Sequence, residues 1–174
     1  MFGNNDYPEE SLSSVCVLKT GNSIPEAVKR IKYLDKDYPL PYIGTKDVSF
    51  SHTINYENGV SIPIHEPNFV TAPPYSVLLC IEGGSAGRKI AITDREVCFG
   101  NKLCMFHSKI ISSRYLFYVL QSSPFRKLFV ENMTGLIGGV SVKTLGKLKV
   151  KIPPLNIQKS IVDKLDSIFP LLEL

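Results

Sequence analysis

The stretch LLCIEGGSAGRKIAIT, residues 78–93, decides how this chain is read. An apolar run enters a turn holding three glycines, leaves through Arg88 and Lys89, and becomes apolar again. Short apolar runs on both sides of a glycine turn predict a strand, a loop and a strand, with the strands over residues 76–81 and 89–93. Glycine beside Arg and Lys also points to an anion, because backbone without a Cβ lets its N–H groups approach phosphate closely.

A nucleotide cofactor does not fit. A Walker loop needs four residues between its glycines, then Lys and Ser or Thr, and it opens onto a helix. Gly83 and Gly87 are separated by three residues, and Arg88-Lys89 leads into Ile-Ala-Ile-Thr, a strand. A dinucleotide fingerprint needs G-x-G-x-x-G between a strand and a helix, which Gly83-Gly84-Ser85-Ala86-Gly87 lacks. The backbone of a nucleic acid and a plain hairpin turn remain as readings.

Working outward, 174 residues at 44% hydrophobic and 21% charged give one domain with a real core and exclude disorder by composition. No apolar run reaches transmembrane length, and the N-terminal MFGNNDYPEESLSS lacks a signal-peptide layout, so the expected location is cytoplasmic. Cys16, Cys80, Cys98 and Cys104 form no CxxC pair and read as reduced thiols, most of them in apolar segments. The formal charge of +4 is mild, but it is unevenly spread. The first ten residues carry three acids and no base, and residues 143–151 carry four lysines and no acid. That permits an anionic partner.

Further extended runs are expected at residues 15–18, 60–64 and 69–70, in 39–50 with a break at Gly44, and across 98–106 and 145–152. A turn falls at Thr20-Gly21-Asn22, and residues 26–34 suit a short helix. Tyr115, Leu116, Val119 and Leu120 fall at helical spacing, followed by a stop and restart with Ser123 as N-cap and Pro124 first in the next helix. Phe125, Leu128 and Phe129 lie on one face of that helix, and the glycine-rich TGLIGGVS follows it. Asn156 is the expected N-cap of a last helix, whose Ile157, Ile161, Leu165, Ile168 and Leu172 make an apolar stripe. The stripe fits either the chain's own core or a partner helix. The fold class is α+β: a β-rich body with short helices, then a C-terminal helix.

No catalytic set assembles. TAPPY, residues 71–75, resembles the Asn/Asp-Pro-Pro-Tyr/Phe motif of amino-methyltransferases, but Ala72 stands where a side-chain acceptor is required. A proline-stiffened loop is the better reading. His52, His65 and His107 lack ligand spacing, and no GxSxG elbow occurs. No metal is expected.

In order along the chain, SLSSVCVLKTGNS, PYIGTKDVSF, PYSVLLCIEGGSAGRKIAI, SRYLFYVLQSSPFRKLF and TGLIGGVSVKTLGKLKVKIPPLNIQKSIVDKLDSI resemble successive segments of the DNA specificity subunit of type I restriction–modification systems. The last carries the most specific part, a glycine loop and a strand before Pro-Pro-Leu-x-Glu-Gln and a helix. Two positions depart: Ile157 replaces the Glu before Gln158, and Tyr75-Ser76 replaces the Gly-Asp before the central strand. The resemblance implies a target recognition domain over residues 1–154 and the start of a conserved spacer or dimerisation helix over 155–174. It implies a non-catalytic module that reads half of a bipartite duplex target. Its implied partners are methyltransferase subunits, which carry the S-adenosylmethionine, and a motor-nuclease subunit. A second recognition domain or a second copy would pair through the helix; no cofactor binds this chain and no membrane is involved. Alternatives are the recognition domain of a related DNA methyltransferase and a protein-interaction domain.

For the DNA site, Lys46, Arg88, Lys89, Lys102 and Lys143 are the expected phosphate contacts, with backbone donors around Gly84, Gly87 and Gly138. Thr45, Asp47, Ser85 and Asn101 are the candidates for base readout.

Overall fold

A computed structural model describes residues 7–172, with side chains as far as Ile168. Strands β6 (Val77–Cys80) and β7 (Ile90–Ile92) flank the glycine turn as expected and pair antiparallel, Leu78 opposite Ala91. Together with β2 (Val17–Thr20) and β9 (Leu103–His107) they make a central sheet in the order β2-β9-β6-β7. A second sheet, in the order β4-β3-β8-β5, joins β3 (Leu40–Ile43), β4 (Ser61–Ile62), β5 (Thr71–Ala72) and β8 (Val97–Phe99).

The central sheet is covered on both faces, which explains why its strands are apolar without alternation. Val77, Leu79, Cys104 and Phe106 pack against the helices, while Leu78, Cys80, Leu103 and Met105 pack against Ile43, Val97 and Phe99 of the second sheet. Tyr42 and Cys98 face outward from that sheet into a smaller cluster with Tyr33 and Ile62. Ala72 is fully buried between the sheets, so TAPPY is structural.

Several expectations are corrected. Residues 98–106 are two strands, β8 and β9, in different sheets, because the chain turns at Gly100-Asn101-Lys102. Residues 145–152 divide into helix α5 (Val142–Lys147) and strand β10 (Lys149–Lys151), since Ser141 Oγ accepts from the Thr144 N–H at 3.1 Å and starts a helix there. Part of the run 15–18 belongs to the one-turn helix α1 (Leu12–Val15). A short helix α2 (Glu26–Val28) continues into a π-turn, Lys29–Tyr33. Helix α3 spans Ser113–Val119 and α4 spans Ser123–Glu131. The cap of α4 is Ser122, not Ser123: its Oγ accepts from the Phe125 N–H, and Ser123 is already helical. Helix α6 (Leu155–Leu172) begins one residue before Asn156, directly after Pro153-Pro154.

The uneven charge also resolves. Strand β1 (Glu9–Ser11) pairs with β10, Glu9 opposite Lys151 and Glu10 opposite Val150. The acidic start and part of the lysine run therefore lie side by side and offset one another.

Two of the segments quoted above acquire physical reasons. A Cβ on Gly21 would sit 1.8 Å from the Phe99 carbonyl oxygen, so only glycine allows this strand end to approach β8. Beside it, Asn22 donates to Asn68 O at 2.8 Å and accepts from Val70 N at 2.7 Å, fastening the loop before β5. Gln158, 1% exposed, accepts from the Ser112 N–H at 2.9 Å and donates to Pro153 O at 2.9 Å. It ties the proline turn and α6 to the start of α3. Along α6, Gln158 and Val162 are buried against the body, Ile161 packs beside them, and Asp166 bonds Arg114 and Tyr118 of α3. The buried face is thus offset by one residue from the expected stripe: Ile157, Leu165 and Ile168 stay half-buried at its flank. The side chain of Leu172 lies outside the described residues.

All four cysteines are free and buried, as expected. Burial pushes the Cys98 and Cys104 thiols up to about 12, so they are neutral at ordinary pH. Among the described residues no helix is long and apolar enough to cross a membrane.

Candidate nucleic-acid interface

Five of the expected contact residues come together. Thr45, Lys46, Asp47, Asn101 and Lys102 line one cleft of about 260 Å³ beneath the second sheet's loops, where Lys29 and Asn58 join them. The cleft forms because the turn after β3 and the turn between β8 and β9 are neighbours: the Gly100 N–H donates to Ile43 O at 2.9 Å. Three lysines converge there. Lys29 is paired with Glu26 at 2.8 Å and Lys102 with Glu82 at 3.7 Å, while Lys46 is exposed at the rim. The charges of Lys29 and Lys102 are thus held in position by exposed ion pairs, which solvent screens and an incoming phosphate can displace.

Asp47 is buried, and its Oδ2 accepts from the Gly44 N–H at 2.8 Å, closing the 3-10 turn Thr45–Asp47 on which Lys46 sits. Its carboxylate shapes the turn from within the cleft wall. Asn58 is likewise engaged, donating to Tyr42 O at 2.8 Å and accepting from Val60 N at 2.9 Å.

The glycine loop borders this cleft. Lys89 Nζ donates to Thr45 O at 2.9 Å, and Arg88 donates to Gly84 O. Both cations lie over the exposed ring of Phe50, Lys89 at 5.2 Å and Arg88 at 5.4 Å from its centroid. The reading of the loop as a nest of amide donors is corrected. The N–H groups of Gly83, Ala86, Gly87, Arg88 and Lys89 all donate to carbonyls within the protein, which leaves at most the tip, Gly84 and Ser85. Gly87 serves packing: its φ is +72°, and a Cβ there would meet the Phe129 ring at 3.0 Å. What the loop offers to solvent is the Gly84-Ser85 tip and the side chains of Arg88 and Lys89.

Gly138 belongs to the second glycine loop, whose Thr134 and Gly139 form a hairpin. Its carbonyl accepts from the Gly83 N–H at 2.9 Å and its N–H donates to Gly135 O, so it locks the two loops together and is not an open donor. Leu136 and Ile137 stand fully out at the hairpin's tip. Lys143 is exposed on α5, which packs on α1 and β2, and it is not among the cleft's lining residues. Lys29, Asn58 and Phe50 were missed in the sequence. A pairing of the predicted short helix with the turn after β3 would have brought in Lys29, but no local pattern carries that information.

No group of three or more histidine, cysteine or acidic side chains that could hold a metal occurs among the described residues. His52 Nδ1 lies 3.0 Å from Ile90 O, and His107 Nδ1 lies 3.2 Å from Ser76 Oγ. These two histidines are engaged with the framework at separate places.

A layered body with loops gathered around a lysine cleft, and a helix laid along its flank, has the build of a recognition module. The chain belongs to the family of the type I restriction modification DNA specificity domain, whose model matches residues 4–174. No curated protein matches its sequence. Among solved structures it is similar to a chain from a type I R-M system studied for its complex assembly and conformational transition, with a TM-score of 0.75 and 22% identity over 99% of this chain and 42% of that one. It is also similar to the HsdS subunit from Thermoanaerobacter tengcongensis, with a TM-score of 0.73 and 20% identity over 98% of this chain and 39% of that one. The S subunit of the type I restriction–modification system of M. genitalium gives a TM-score of 0.66 and 15% identity over 99% and 42%. The chain thus spans about two-fifths of the length of these structures.

Proposed function

We propose that this chain is a sequence-reading module of a type I restriction–modification specificity subunit, which binds duplex DNA and reads one half of a bipartite target. The observation that carries this reading is the cleft of Lys29, Lys46 and Lys102, joined through the Lys89–Thr45 bond to Arg88 and Phe50. Lysines and an arginine at a groove supply phosphate affinity, and Thr45, Ser85 and Asn101 supply directional groups for base edges. Residues 1–154 act as the recognition body and 155–174 as the start of the spacer helix. Ile157, Leu165 and Ile168, half-exposed beside the docked face, suit the helix of a second recognition domain or a second copy. The module is non-catalytic and cytoplasmic. It directs a methyltransferase subunit, which holds the S-adenosylmethionine, and a motor-nuclease subunit to the target, and binds no cofactor itself.

The test is duplex binding against salt, with the methyltransferase subunit present. Affinity should fall steeply as salt rises, and Lys46→Ala and Lys102→Ala should each flatten the log–log slope by about 0.9. Salt-independent binding, or slopes unchanged in both variants, would reject the cleft as the phosphate site. Leu165→Glu combined with Ile168→Glu should abolish pairing while leaving the body folded.

A further inference from the structure

Phe50 is the only phenylalanine left exposed among the described residues, at 57%. It serves no core, and a phenyl ring in water forgoes the free energy of burial. Its loop is nevertheless firmly built. The Ser49 N–H donates to Thr53 O at 2.9 Å, the Thr53 N–H donates to Ser49 Oγ at 3.0 Å, and His52 is fixed on Ile90 O. Arg88 and Lys89 sit against the ring and restrict it further. The ring is thus presented to solvent by rigid surroundings, beside the two cations that the reading above gives to phosphate.

A phenyl ring has no donor or acceptor, so it cannot read the hydrogen-bonding pattern of a base edge. What it can read in the major groove is the single apolar feature there, the C5 methyl of a pyrimidine. Base faces are covered by stacking in an intact duplex, so the methyl is also what a rigid ring reaches without unstacking. We propose that Phe50 is a specificity residue that contacts a pyrimidine C5 methyl group. This rests on the DNA-reading function proposed above.

The full chain, assembled with its methyltransferase subunit, would select duplexes from random pools, one plain and one carrying 5-methylcytosine. Wild type, Phe50→Leu and Phe50→Ala would be compared, with melting temperatures to confirm that all three fold. Wild type should select a methyl-bearing pyrimidine at a fixed position, thymine in the plain pool or 5-methylcytosine in the other. Removing that methyl, by uracil or unmodified cytosine, should weaken wild-type binding about fourfold, the equivalent of one buried methyl group. Phe50→Ala should lose that preference and keep the rest of the motif, with Phe50→Leu in between. An alanine variant that selects the full wild-type motif, or a wild type indifferent to the methyl, overturns the inference while DNA reading stands. A wild type that binds no duplex at any salt overturns DNA reading, and this inference with it.

Discussion

Lys89 and Thr45, 44 residues apart, are joined by a 2.9 Å hydrogen bond from the ammonium to the backbone carbonyl. The bond closes the seam between the glycine loop and the turn that carries Lys46. It gives Lys89 a double part, whereas Arg88 reaches only its own loop's Gly84 carbonyl and the Phe50 ring. Lys89→Ala should therefore lower stability by about 1 kcal/mol as well as weaken DNA binding. Arg88→Ala should weaken binding with a change in stability within about 0.5 kcal/mol. Urea denaturation of both variants beside a duplex titration checks this; equal stability losses would deny the seam.

Gly21 lies where β2 ends against Phe99, and the obstacle to any side chain is backbone, which cannot swing aside. Gly21→Ala should cost about 3 kcal/mol. A thermal melt within a degree of wild type would show that the approach relaxes freely.

Gln158 holds one donor and one acceptor that water cannot reach. Gln158→Leu keeps the volume but orphans the Ser112 N–H and the Pro153 carbonyl, at about 1–3 kcal/mol for each group. Chemical denaturation measures the sum. Faster amide exchange at Ser112 should accompany it, and protection equal to wild type would count against the staple.

Asp166 ties α6 to α3. Burial raises its carboxyl pKa, but the hydrogen bonds from Tyr118 and Arg114 and the Arg114 charge outweigh burial and hold it below the ordinary value. Its contribution is thus present above the ordinary carboxylate pKa of about 3.9 and is lost as pH falls through the depressed folded value. The effect is modest, because the pair is partly solvated. Asp166→Asn should remove that part of the acid dependence of helix docking, read by hydrogen exchange in α6 between about pH 5 and pH 2. An unchanged profile would assign the acid sensitivity elsewhere.

The sequence was most legible where one element does one thing. The hairpin around residues 78–93 shows two apolar runs and a glycine turn, and the structure has just that. It was least legible where neighbouring residues serve different layers. Residues 98–106 read as one strand because both sheets ask for the same apolar residues, and nothing local says that Phe99 belongs to one and Leu103 to the other. In LGKLKV the alternation of Leu and Lys outweighed the Ser141 cap. The cleft shows the same limit: Thr45, Lys46, Asn101 and Lys102 stood out beside turns, whereas Lys29 enters through a tertiary approach. The turn-closing part of Asp47 was not legible, because a turn-closing carboxylate and a base-reading one look alike in sequence.

The contact of Gly87 with Phe129 bears on how such a loop can be re-engineered. The notch that the missing Cβ leaves is filled by the ring of Phe129 from α4, so position 87 is bound to a helix far along the chain. Gly84, by contrast, has open space around it. Libraries meant to alter target choice can therefore randomise the tip at residues 84 and 85, and a graft that replaces residue 87 must bring a smaller partner for Phe129 with it.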